Sequence, residues 1–279
     1  MNVDISRHLI PGQLAKAARG EPDGISVDRQ THLVVIPSYN SGPKLIETVR
    51  SARQYWAPVW VVIDGSTDDS AATLNALAAG DPDLRVFVLP ENQGKGAALL
   101  HGLKQARIEG FTHALTMDAD GQHPAPLIPT FIAKSRANPD ALILGLPVFD
   151  SSAPRIRVIG RKLSNWCTSL ETLWAGNFDS LFGFRVYPVD ALCRIMEASR
   201  WMRRFDFDAE AAVRLCWSGF RAINLPAPVR YHSAEQGGVS HFRYLRDNIL
   251  LSWMHTRLVL ECVGRLPSLL PQRIRSFRH

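Results

Sequence analysis

The feature that most constrains this chain is a rhythm of short apolar runs. Each ends abruptly in polar or glycine residues, and a helix-length stretch follows nearly every one. Leu33-Val34-Val35-Ile36 stops at Pro37-Ser38-Tyr39-Asn40, and Val59-Trp60-Val61-Val62-Ile63 breaks into Asp64-Gly65-Ser66-Thr67-Asp68. Arg85-Val86-Phe87-Val88-Leu89 precedes Asn92-Gln93-Gly94-Lys95-Gly96. The run from His113 to Met117 ends in Asp118-Ala119-Asp120-Gly121-Gln122-His123-Pro124, and Ala141-Leu142-Ile143-Leu144-Gly145 comes next. Runs of this length and composition read as buried strands. The stretches 43–55, 97–107 and 124–137, and an alanine-rich one reaching 79, read as helices, with Pro43 placed to open the first. Strands alternating with helices predict an α/β fold, Rossmann-like, with a mostly parallel sheet covered on both faces. Such sheets bind ligands in the crevice at the carboxyl ends of their strands. The residues that terminate the runs are therefore the candidate site.

After Phe149 the rhythm changes. Stretches 155–173 and 209–217 read as helices and 183–187 and 221–225 as short strands, expected to complete the sheet and wall the cleft. A last helix is expected over 243–263, with Leu245, Ile249, Trp253, Leu260 and Val263 on one broad apolar side. Residues 1–31, with turn signals at Pro11-Gly12 and Pro22-Asp23-Gly24, read as a short leader. The expected division is a leader (1–31), a catalytic domain (32–240) and a basic amphipathic helix and tail (241–279).

Composition narrows the classes. A chain of 279 residues with 46% hydrophobic and 21% charged residues buries a sizeable core. Four cysteines without a CxxC pair predict reduced thiols in a cytoplasmic protein, with neither a disulfide framework nor a zinc rhythm. The first thirty residues lack a secretory apolar core, and no stretch approaches the roughly 18–20 apolar residues a membrane span needs. From His241 onward seven arginines face only Asp247 and Glu261. Such a tail is by default a solvated basic face; its alternative is contact with anionic lipid at the inner face of the membrane. No nucleic-acid partner is expected.

The chemistry gathers at the run ends. Asp118 and Asp120 are one residue apart, so an extended chain turns both to one side, offering oxygen ligands to a hard divalent cation. Asp64 can accept hydrogen bonds from a base or ribose, and Gly65 permits close approach. The plainer alternative there is a helix N-cap by Ser66 or Asp68. Gly94-Lys95-Gly96 before a helix suits phosphate, although neither the GxxxxGK[ST] nor the GxGxxG spacing is present.

In this order and spacing, Val35-Ile36-Pro37-Ser38-Tyr39-Asn40, Asp64-Gly65-Ser66-Thr67-Asp68, Asn92-Gln93-Gly94-Lys95-Gly96-Ala97 and Asp118-Ala119-Asp120-Gly121-Gln122-His123-Pro124 resemble the signatures of family 2 glycosyltransferases. The dolichyl-phosphate mannosyltransferase branch is the nearest likeness, over about residues 32–245. The resemblance implies a GT-A fold, a UDP- or GDP-sugar donor, inversion at the anomeric carbon and a lipid-linked acceptor. It implies that Pro37, Tyr39, Asn40 and Asp64 line the nucleoside pocket, with Gly94 and Lys95 also on the donor side. Asp118 would approach the ribose or metal, while Asp120 and Gln122 hold Mg2+ or Mn2+ against the diphosphate; Asp120 is also counted among the catalytic residues. One departure is Ile63, where the family often has a first acid before Gly-Ser.

The second half continues the likeness. Arg161-Lys162-Leu163-Ser164-Asn165 and Asp179-Ser180-Leu181-Phe182-Gly183-Phe184-Arg185 resemble acceptor-side segments, with Phe182 in place of the usual serine. Arg161 and Arg185 would meet an acceptor phosphate, a role suited to guanidinium, or else make surface ion pairs. Asp208-Ala209-Glu210 lies on the element that supplies the base in many relatives. With a hydroxyl acceptor Asp208 is the expected base and Glu210 the second choice; a phosphate acceptor is already a nucleophile. Their plainer role is to complement a helix dipole. Ser240 and His241 fall in a segment resembling the loop that closes over the diphosphate, with His241 where lysine is common and His232 nearby. His123 reads as a neighbour of the motif and not a ligand. The rival functions are a sugar-phosphate nucleotidyltransferase, disfavoured by Pro37-Ser38-Tyr39-Asn40 after the first strand, and a non-catalytic nucleotide-sugar-binding protein.

Overall fold

The computed structural model describes residues 31–149, 155–175, 178–229 and 244–276. The leader, the boundary expected at 240/241, and Ser240, His241 and His232 lie outside the described residues.

The five apolar runs form β1 (His32–Ser38), β2 (Val59–Asp64), β3 (Leu84–Leu89), β4 (His113–Thr116) and β5 (Ala141–Val148). Helices α1 (Gly42–Tyr55), α2 (Ser70–Ala78), α3 (Lys95–Ile108) and α4 (Ile128–Arg136) lie between them, α4 entered through a 3-10 turn at Ala125–Leu127. The second half supplies α5 (Arg155–Glu171), β6 (Arg185–Pro188), α6 (Val189–Glu197), α7 (Phe207–Trp217), β7 (Arg221–Pro228) and α8 (Tyr244–Ser276). One seven-stranded sheet runs β3-β2-β1-β4-β6-β5-β7. β6 is antiparallel to both β4 and β5; the other pairings are parallel. The expected mostly parallel sheet is present.

Every residue of β1, β2 and β4 is buried, because helices cover both faces. Alternate residues feed two cores: Val35 and Val62 pack under α3 and α7, while Val34, Ile36, Val61 and Ile63 pack under α1 and α4.

Two differences from the sequence expectation matter. Helix α6 was passed over, although Val189, Leu192, Cys193 and Met196 are buried at helical spacing. Helix α8 runs well beyond Val263, through Pro267 and Pro271. Proline normally ends or kinks a helix. Here Leu269 is buried and the Arg273 guanidinium donates to the carbonyls of Leu173 and Trp174, so the far end is tied to the segment after α5. Leu251, Met254, Leu258 and Cys262 join the same core as α3 and α7.

Candidate active site

The ends of β1, β2 and β4, the start of α3, and α5, α7 and α8 enclose a cleft of about 1220 Å³. Pro37, Tyr39, Asp64, Gly94, Lys95, Asp118, Asp120, Gln122, Arg161 and Asp208 all line it, so most of the sequence candidates converge.

At the centre is Lys95. Its Nζ lies 2.7 Å from Asp118 Oδ1 and 2.7 Å from Asp208 Oδ2, joining the fourth strand end to α7. Burial works to lower the pKa of this ammonium, but the two carboxylates prevail and hold it above its ordinary value. Burial favours the acid form of Asp118 as well; Lys95 outweighs it and keeps that carboxyl below the usual range. Asp120 is the opposite case. Burial and the like charge of Asp118 push its pKa up, and among the described residues it has no salt bridge. Its Oδ1 accepts the Gln122 backbone N–H at 3.0 Å. The strand ends at Thr116, so a turn brings the two acids to the cleft in place of the extended alternation expected for them.

His123 is buried and braces this turn. The Asp118 backbone N–H donates to Nδ1 at 2.9 Å, which leaves the ring proton on Nε2, 3.5 Å from Asp118 Oδ2. Burial lowers its pKa, consistent with a neutral ring. The ring packs edge-on against Phe182, the departure from the family pattern, with centroids 4.7 Å apart.

The other strand-end residues also build the cleft from behind. Both Asp64 oxygens accept backbone N–H groups, from Gln93 at 2.9 Å and Gly94 at 2.7 Å, so Asp64 shapes the loop before α3 while facing the cleft. Burial raises its pKa against those bonds. Asn40, at φ +44°, takes the Thr67 N–H on Oδ1 at 2.8 Å and donates its own N–H to Ser66 Oγ. It ties two loops together and does not line the cleft. Asp68 accepts from Gly42 N–H at 2.9 Å and Ser70 N–H at 3.2 Å, the capping role weighed for this segment.

Two of the residues expected on the second wall, Arg185 and Glu210, are fully buried. Arg185 is fully buried: its guanidinium donates to the carbonyls of Phe182 (2.7 Å), Asp179 (2.7 Å) and Asp208, and to Tyr187 Oη (2.9 Å). Each of its three guanidinium nitrogens donates to protein, so Arg185 organises this wall. Glu210 is fully buried and does not line the cleft. It is 2.7 Å from Arg214 Nε and holds Arg257 through two bonds, an internal ion-pair cluster. Arg161 does line the cleft, but it is salt-bridged to Asp179. Asp208 keeps one oxygen on Lys95, while its buried Oδ1 has no hydrogen-bond partner among the described residues.

Sequence reasoning missed a second layer. Glu171, buried on α5, lies 2.7 Å from His255 Nδ1 on α8; His255 Nε2 is 2.9 Å from Ser164 Oγ, which Ser180 Oγ meets at 2.8 Å. This chain staples α5, α8 and the segment before β6. No sequence spacing announces it, because its members are up to 91 residues apart.

Known proteins agree with this construction. The glycosyl transferase family 2 model matches residues 33–190. An undecaprenyl-phosphate mannosyltransferase of Micrococcus luteus is 27% identical over 208 residues, covering 70% of this chain and 81% of the relative. A polyprenol monophosphomannose synthase of Mycolicibacterium smegmatis is 27% identical over 224 residues, covering 78% and 83%. Among solved structures, glucosyl-3-phosphoglycerate synthase from Mycobacterium tuberculosis, in complex with Mn2+, UDP-glucose and phosphoglyceric acid, superimposes with a TM-score of 0.58 at 18% identity, covering 92% of this chain and 84% of that one. TarS of S. aureus superimposes with a TM-score of 0.53 at 16% identity, covering 85% and 71%. The fold is GT-A-like, and a sheet whose strand ends present Asp64, Lys95, Asp118 and Asp120 to one cleft accords with the sequence match: the chain is an enzyme of glycosyl transferase family 2.

Proposed function

We propose that the chain is an inverting, metal-dependent transferase that moves a sugar from a UDP- or GDP-linked donor to a lipid-type acceptor, polyprenyl phosphate ahead of a lipid hydroxyl. The observation that carries this reading is the convergence of Asp118, Asp120, Lys95 and Asp208 on one cleft. Pro37, Tyr39 and Asp64 form its nucleoside end. The donor set suits a cation: Asp120 is a carboxylate without a salt bridge among the described residues, beside Asp118 and the Gln122 amide. These oxygens would hold Mg2+ or Mn2+, hard ions that take oxygen ligands. When bound, the ion stabilises charge developing on the diphosphate leaving group.

Lys95 holds Asp118 and Asp208 in register. With a phosphate acceptor, already anionic, Asp208 orients Lys95 and no base is required. With a hydroxyl acceptor, the unpartnered Asp208 Oδ1 takes the proton. Arg161 is the remaining candidate for the acceptor phosphate. The acceptor names of the two mannosyltransferase relatives support the phosphate alternative.

A lipid acceptor calls for a lipid-facing surface. No helix among the described residues is long and apolar enough to cross a membrane. Leu245, Ile249, Trp253 and Leu260 nevertheless stay exposed along the outer side of α8, with Leu163 and Trp166 exposed on α5. Leu163 and Leu260 also line the cleft, so this apolar face meets its mouth. Exposed Arg246 and Arg265 lie on the same helix, suiting an anionic bilayer surface at the cytoplasmic side.

A thermal-shift screen of UDP- and GDP-sugars with Mn2+ tests the donor. One donor should raise Tm by binding the native state alone. If none does, and no metal-dependent donor hydrolysis is detected, the reading fails. Sedimentation with phosphatidylglycerol-containing vesicles, but not with neutral ones, tests the surface; Trp253→Glu should reduce it.

A further inference from the structure

Among the described residues, the cleft is lined by five lysine or arginine side chains, and four are committed to carboxylates. Lys44 pairs with Glu47 at 2.7 Å, Lys95 with Asp118 and Asp208, Arg161 with Asp179, and Arg246 with Asp247 at 3.3 Å. The fifth, Arg204, lines the cleft with no side-chain hydrogen bond or salt bridge among the described residues. Its charge is felt by Asp64, at the nucleoside end. A guanidinium held in a cleft without a partner is a ready site for a planar bidentate anion.

The backbone beneath it is held firmly. Asp206 accepts the N–H groups of Met202 at 3.0 Å and Arg204 at 2.9 Å. Arg203 turns the other way and donates to the carbonyls of Met196, Ser199 and Trp201. The Arg203 carbonyl accepts the Ala97 N–H at 3.1 Å, docking this loop on the first turn of α3. The contact is close enough to require glycine: a Cβ on Gly94, at φ +103°, would lie 2.4 Å from Arg203 O and 2.8 Å from Arg204 Cγ. Arg204 is therefore presented from a rigid loop, beside the glycine that starts α3 and four residues before Asp208.

Resting on the donor reading above, we infer that Arg204 is the cleft's diphosphate-binding cation, positioning the donor's phosphoryl groups from the α6–α7 loop. Charge-assisted bidentate bonds of this kind change affinity by about tenfold to a hundredfold. Because the side chain has no hydrogen-bond or salt-bridge partner among the described residues, Arg204→Gln should fold with an unchanged Tm.

The test is calorimetric titration of wild type and R204Q with UDP and GDP in the presence of Mn2+, with uridine and guanosine as phosphate-free controls. R204Q should weaken the nucleoside diphosphate that binds wild type by about tenfold or more and leave its nucleoside unchanged. Arg204→Lys should recover only part of the loss, because a point charge does not reproduce the fork. Equal Kd values for wild type and R204Q overturn the inference and leave the donor reading standing. If R204Q instead spares the diphosphate and weakens binding of a short-chain polyprenyl phosphate, the anion is the acceptor's and the donor assignment is overturned. If wild type binds neither diphosphate, the donor reading fails and this inference falls with it.

Discussion

The two walls of the cleft are built on different principles. On the β1–β4 side, polar residues sit at the ends of buried strands, and short loops hold them through backbone hydrogen bonds, as Asp64 holds Gln93 and Gly94. On the α5–α7–α8 side, the charged residues are largely consumed by one another: Glu210 by Arg214 and Arg257, Glu171 by His255, and Arg185 by carbonyls. Cleft-facing polar groups are concentrated on the first wall, and mutual ion pairing on the second. Lys95 is the link, reaching from the first wall to Asp208 on the second.

This contrast breaks most visibly at Asp120. Asp120→Asn should lower transfer by about a thousandfold while Tm stays within a few degrees, because the residue supports no fold contact beyond its turn. An assay following sugar release from the donor reads it; wild-type turnover would move the cation site elsewhere.

Arg185→Met should show the reverse pattern. Several buried carbonyls lose their donor at once, so unfolding free energy from urea titration should drop by about 3–5 kcal/mol. Arg185→Lys should not restore it. An unchanged Tm with a raised acceptor KM would return Arg185 to acceptor binding. Glu210→Gln should cost about 2–3 kcal/mol in the same measurement, leaving Arg214 and Arg257 without their common anion, with kcat retained in whatever protein remains folded.

A smaller effect belongs to neither wall. His32 and His113 stack with centroids 4.8 Å apart at the far ends of β1 and β4. Burial, then the charge of His113, lowers His32 to about 3, and burial lowers His113 as well. Each is neutral when folded and protonates more readily when unfolded. The His32 contribution should therefore be complete above the unfolded value near 6.5 and fall as pH drops from there toward 3, by up to about 1.4 kcal/mol per pH unit, with His113 acting in the same direction. Melts at pH 7.5 to 4.5 should show His32→Gln with a shallower decline; a parallel decline would assign the acid sensitivity to other groups.

The first wall was largely legible in the sequence, and the second was not. Strand ends announce themselves because a period-breaking Asp or Gly follows an apolar run, and topology carries all such ends to one edge. The convergence of Asp64, Lys95, Asp118 and Asp120 on one cleft is therefore legible in the sequence. Asn40 stands apart from them because its left-handed backbone turns the side chain toward Thr67. The burial of Arg185 and Glu210 is not legible in the sequence, which does not distinguish a charge aimed at solvent from one aimed at a buried partner. Arg204 was overlooked for the converse reason: nothing local marks which of many arginines lacks a partner.

By itself, the sequence determined the alternation of strands and helices, the parallel sheet it requires, and the set of acids delivered to the strand ends. These follow from periodicity and short-range turn chemistry. Tertiary structure alone decided which charges remain available. It paired Asp118 with Lys95, withdrew Arg185 and Glu210 into the core, and, among the described residues, left Asp120 without a salt bridge and Arg204 without a hydrogen-bond or salt-bridge partner. The physical reason is that ion pairing and desolvation depend on distances of a few ångströms between residues far apart in the chain, which no local pattern encodes.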